Sequence, residues 1–86
     1  MNIRLTISGR SYDVADSLPP AIELPQGSSL AEAIEHVAGL LPEGRTLPAS
    51  CLVAVSGRHV GTLGRPAAHE LRDGDELMIV APVAGG

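Results

Sequence analysis

Ile3, Leu5 and Ile7 alternate with Asn2, Arg4 and Thr6. A period of two predicts a strand with one buried face. Gly9 and Arg10 break it, and residues 9–20 read as a loop carrying Asp13, Asp16, Ser17 and the pair Pro19-Pro20. Alternation resumes over Ala21-Ile22-Glu23-Leu24 and ends at Pro25 and Gly27. Two short strands joined this way predict an antiparallel hairpin with a wide turn. The period then changes. Leu30, Ile34, Val37 and Leu41 share one face of a helix over residues 28–41, and Ala33 and Leu40 widen that stripe. Ser29 and Glu32 have capping-box spacing, Ser28 competes for the cap, and Pro42 stops the helix. Glu32 and Glu35 fall on its outward side.

After a proline-containing loop, Leu52-Val53-Ala54-Val55 predicts a buried strand, Ser56 to His59 a turn, and Val60 to Leu63 a short edge strand. An Asp73-Gly74 turn feeds a last strand, Glu76 to Ala81, whose middle is the densest apolar run, Leu77-Met78-Ile79-Val80. Apolar residues at consecutive positions call for cover on both faces, the mark of a central strand. The economical arrangement is α+β. The first and last strands lie side by side in a mixed four- to five-stranded sheet, with one main helix across one face. Right-handed crossovers limit the alternatives. The chain end then leaves the sheet from its middle, in a fixed direction.

Composition narrows the function. A chain of 86 residues is one domain with one core, and it has no Phe, no Trp and only Tyr12 as an aromatic. Aliphatic residues must do the packing. Base stacking needs aromatic or Arg planes over a basic groove, whereas this chain carries a net charge of −4, six scattered Arg and no Lys. Nucleic-acid binding is therefore not expected. Without Lys, no side-chain amine can accept the C-terminus of another copy. The N-terminus has no signal-like pattern, and no apolar run approaches the ~18 residues of a membrane span. The expectation is a soluble cytoplasmic protein that does not engage membranes.

Few residues invite chemistry. Cys51 is the only cysteine and opens an apolar run, which predicts a buried thiol used as a small hydrophobe. His36, His59 and His69 lack metal-ligand spacing, so no metal site is expected. Asp73, Asp75 and Glu76 read as a solvated turn before they read as paired catalytic carboxylates. Arg58, His59 and Arg65 are candidates for a docking edge or simply exposed turn residues. Met78 and Val80 are candidates for an apolar docking patch, because one helix covers only one face of a sheet.

The chain ends in Ala81-Pro82-Val83-Ala84-Gly85-Gly86. Pro82 cannot continue a ladder and Gly-Gly is entropically expensive to order, so the strand should stop near Ala81 and the rest should project. Pro82 and Val83 are either a stiff tail root that packs on a partner or a plain strand terminator. The run Leu71-Arg72-Asp73-Gly74-Asp75-Glu76-Leu77, followed by the apolar strand and this ending, resembles the ubiquitin-like sulfur carriers of bacteria. It is most similar to the small subunit of molybdopterin synthase, and next to the thiamine-pathway carrier.

The resemblance implies a β-grasp fold, with residues 1–80 as the domain and residues 81–86 as a flexible Gly-Gly tail. It also implies a carrier with no catalytic residues of its own and no bound cofactor. A ubiquitin-activating-type adenylating enzyme would use ATP to convert the Gly86 carboxylate to an acyl adenylate. A sulfur donor would then give a Gly86 thiocarboxylate. An acceptor enzyme, such as the large subunit of molybdopterin synthase, would take the sulfur. Gly85, Ala84, Val83 and Pro82 would thread the enzymes' channels, with Arg58, Met78 and Val80 as docking residues. Thiamine, cysteine or another thiolated metabolite, protein modification, and a plain binding module are the alternative destinations of the same fold.

Overall fold

The computed structural model describes residues 1–8, 18–44 and 46–81. The elements are β1 (Asn2–Ser8), β2 (Ala21–Glu23), α1 (Leu30–Leu40), β3 (Leu52–Val55), β4 (Arg58–Thr62) and β5 (Glu76–Val80). They form a five-stranded sheet in the order β2-β1-β5-β3-β4. β1 and β5 are parallel neighbours over Arg4–Ser8 and Glu76–Val80. The other pairings are antiparallel. This is the β-grasp arrangement, with the first and last strands at the centre as the pattern predicts. The loop at residues 9–17 and the tail at 82–86 lie outside the described residues.

Helix α1 forms where the period changes. Glu32 N–H donates to the Ser29 hydroxyl at 3.2 Å, and the Glu32 carboxylate accepts from Ser29 N–H at 3.1 Å, so Ser29 wins the cap. Ser28 is buried instead, and its hydroxyl donates to the Pro25 carbonyl. Leu30, Ala33 and Val37 pack in one core with Ile3, Leu5, Val53, Leu77 and Ile79. Leu40 departs from the predicted stripe, with 38% of its surface exposed. The helix ends there, so Leu40 lies at the rim of the covered face.

The turn after β3 also differs from expectation. Val55 pairs directly with Arg58, leaving only Ser56 and Gly57 as the loop. Both have positive φ, 49° and 86°, the backbone of a type I′ hairpin. Arg58 and His59 are therefore strand residues, and the edge strand starts two positions earlier than the sequence predicts. The outer edge of β4 is covered by the returning chain, where Ala67 N–H donates to Val60 C=O and Thr62 N–H to Arg65 C=O. That close approach requires Gly61. Its φ is 106°, and a Cβ there would sit 2.5 Å from the Arg65 carbonyl oxygen. An edge closed in this way offers no free strand for a partner to pair with.

Candidate functional site

β5 alternates in burial. Leu77 and Ile79 are fully buried on the helix side, and Glu76, Met78 and Val80 are half-buried on the other. Continuous hydrophobicity thus produces a central strand whose second face is only partly covered, which corrects the expectation of full cover. Direct sheet partners point to the same side. Met78 stands between Thr6 and Ala54, and Val80 between Ser8 and Leu52. The outer face near the end of β5 is therefore an aliphatic row edged by hydroxyls. Leu52 extends it with 46% of its surface exposed. Sequence reasoning missed Leu52 because β3 is aliphatic at every position, so alternation cannot reveal which side chains face out.

The last described residue of the tail region is Ala81. It is buried, and its N–H donates to the Ser8 carbonyl at 2.8 Å. This bond extends the parallel β1–β5 ladder by one step and fixes the root of the tail in the middle of the sheet. Pro82, Val83, Ala84, Gly85 and Gly86 lie outside the described residues.

Arg58 belongs to a different place. It pairs with Val55, which points to the helix side and lies at the opposite end of β5 from Val80. There it lines a polar cleft with Ser56, His69, Arg72 and Asp75. Met78 and Val80 form one surface, and Arg58 is not part of it. Arg65 lies past the far end of β4, so Arg58, His59 and Arg65 do not make one docking edge either.

The acidic turn has a structural task. The Asp75 carboxylate accepts from the Ser56 hydroxyl at 2.8 Å and from Arg72 N–H at 2.9 Å. Asp73 accepts from Asn2 N–H at 2.6 Å. Glu76 is paired across the sheet with Arg4 and accepts from the Thr6 hydroxyl at 3.4 Å. These carboxylates knit the start of β5 to β1 and to the β3–β4 hairpin. Cys51 is fully buried, and burial pushes its thiol pKa up. Among the described residues, no three His, Cys, Asp or Glu side chains come together to hold a metal, and no helix is long and apolar enough to cross a membrane.

The ThiS family model matches residues 5–86. The chain belongs to the ThiS family. Members of this ThiS family are ubiquitin-like sulfur carriers, small proteins that are not themselves catalytic. Three solved structures share the fold. A Pyrococcus furiosus protein described as molybdopterin converting factor subunit 1 is 23% identical with a TM-score of 0.72, covering 96% of this chain and 99% of its own. SAMP1 from Haloferax volcanii is 17% identical with a TM-score of 0.74, over the whole of both chains. A complex of molybdopterin-converting factor subunits 1 and 2 from Helicobacter pylori gives 23% identity and a TM-score of 0.50, also over both full lengths. No curated protein sequence matches the chain.

Proposed function

We propose that the Gly86 carboxylate of this ThiS-family carrier is the group that is loaded with sulfur. A carboxylate is a poor acyl donor, because its charge repels nucleophiles and oxide is a hopeless leaving group. Attack of a Gly86 oxygen on the α-phosphorus of ATP expels pyrophosphate and gives an acyl adenylate. Hydrosulfide, or a donor at the same oxidation level, then displaces AMP and leaves a thiocarboxylate. The carrier contributes delivery. Its tail root is bonded into the centre of a rigid sheet, and the residues beyond Ala81 lack charged side chains and bulk. A misplacement of ~1 Å at reacting atoms costs on the order of 100-fold in rate, so two glycines at the reacting end matter.

The observation that carries this reading is the family match through residue 86 on a chain whose central strand leads directly into that segment. We assign the acceptor to molybdopterin synthesis. Support comes from the tail pattern and from the printed names of two of the structural neighbours. The partners are then a ubiquitin-activating-type adenylating enzyme, a sulfur donor and the large subunit of molybdopterin synthase. A cytoplasmic location is consistent with that proposed use of ATP. No cofactor is held by the carrier itself.

The test is mass spectrometry of the intact protein after incubation with the adenylating enzyme, ATP and sulfide. The expected product is heavier by one exchange of oxygen for sulfur, and it is absent when Gly86 is deleted. Deletion should leave the melting temperature unchanged. Full thiolation of the truncated chain would sink the proposal.

A further inference from the structure

A second apolar surface lies at the tail end of the sheet, on the helix side. It is a groove of about 310 Å³ between α1 and the loops at residues 46–49 and 63–64. Half-buried Ile34, Leu41, Leu47 and Leu63 make its walls, and Ile79 of β5 makes part of its floor. Among the described residues, its lining carries no charged side chain. The size is at the lower bound of the ~300–1,000 Å³ typical of ligand sites, which suits an inserted side chain better than a cofactor. Ile79 is two residues from Ala81, and Leu63 N–H donates to the carbonyl of Cys51, next to Leu52 and its partner Val80. The groove thus opens beside the tail root, across the sheet from Met78 and Val80.

The length of the tail decides what meets this groove. Gly86 stands five residues past Ala81, and five extended residues span at most roughly 16–18 Å. An enzyme that takes Gly86 into a reaction centre inside a channel must bring the mouth of that channel against the end of the sheet. Two apolar surfaces flank the root there, the outer row and this groove. We propose that the groove receives an aliphatic side chain from the rim of the adenylating enzyme's channel, so that the sheet end is gripped on both faces while the tail is threaded. This rests on the carrier reading given above. An apolar occupant suits the described lining, in which the Thr46 hydroxyl is the one polar side-chain group and a buried charge or amide would find no other side-chain partner.

Ala38 is exposed on α1 at the edge of the groove. Ala38→Glu keeps helix propensity and puts a charge at the mouth. Thr46→Asp does the same from the loop side. The measurement is calorimetric titration of each full-length variant with the adenylating enzyme from the same genome, without ATP, beside the sulfur-loading assay. The expected result is a Kd about 10–100-fold weaker for both variants, the loss typical of an interface anchor, with an unchanged maximal loading rate at saturating carrier. If the wild type is loaded and both variants bind like it, the groove proposal falls and the carrier reading stands. If the wild type neither binds nor is loaded, both fall.

Discussion

The two ends of β5 are held by different means. At the Glu76 end, Asp75 takes two hydrogen bonds, Asp73 takes one from Asn2, Ser56 N–H donates to Glu76 C=O at 2.8 Å, and Gly74 N–H donates to Asn2 C=O at 2.9 Å. At the Val80 end, the backbone bond from Ala81 to Ser8 stands among aliphatic side chains, with Met78, Val80 and Leu52 half-covered on one face and the groove open on the other. Polar ties satisfied within the fold leave nothing for a partner to complete. Incompletely covered apolar surface does. On the carrier reading proposed above, the Glu76 end serves stability and the Val80 end serves docking, and substitutions at each should separate the two properties.

Met78→Asp should have the largest effect on binding. It places a carboxylate in the middle of the outer row, where a docked partner would strip its water. Loss of a central apolar anchor typically costs 2 kcal/mol or more, about 30-fold in Kd. Met78 is only half-buried, so the folded state should lose about 1 kcal/mol at most. Calorimetry with the adenylating enzyme and a urea melt of the free protein read the two numbers. Equal losses in both would abolish the distinction between the ends.

Asp75→Ala is the opposite case. It removes a carboxylate that bonds both the β3–β4 hairpin and the turn before β5, and it leaves the Ser56 hydroxyl and Arg72 N–H without that acceptor. The site is partly exposed, so water replaces some of the loss, and the expected destabilisation is about 1–2 kcal/mol. Ser56 adds to it, because its left-handed backbone, at φ 49°, is unfavourable for a residue with a side chain and is held partly by this bond. Enzyme affinity, corrected for the folded fraction, should not change. A large affinity loss would mean that the acidic turn is itself docked.

The same contrast explains what could be read from the sequence. The capped helix, the central placement of β5 and the buried Cys51 follow from period, Ser29-to-Glu32 spacing and consecutive hydrophobicity. These are local signals with one physical meaning. The faces of the sheet were harder. Leu52-Val53-Ala54-Val55 is aliphatic throughout, so exposure of Leu52 is set by its pairing with Val80 and by the irregularity between Leu52 and Ala54. The Ser56-Gly57 hairpin was hidden because serine rarely takes the left-handed conformation, and the contacts with Asp75 and Glu76, nineteen and twenty residues away, show what holds it there. Arg58 looked like a neighbour of the docking surface. Register alone puts it at the other end and on the other side.

The smallest predicted effect concerns Cys51, which lies fully buried at the Val80 end, immediately before β3. Burial disfavours the thiolate, so the folded-state pKa lies above the ordinary value of 9.0. The sign follows from linkage. The unfolded chain loses its thiol proton at lower pH than the folded one, so the contribution of the neutral thiol is intact below about pH 9 and is lost as pH rises through the folded-state pKa. Unfolding free energy from urea titrations between pH 7 and pH 11 should therefore fall more steeply for the wild type than for Cys51→Ala, which has no thiol to ionise. Parallel curves would mean that water reaches the sulfur, and that the apolar packing at this end of β5 is looser than the aliphatic contacts around it imply.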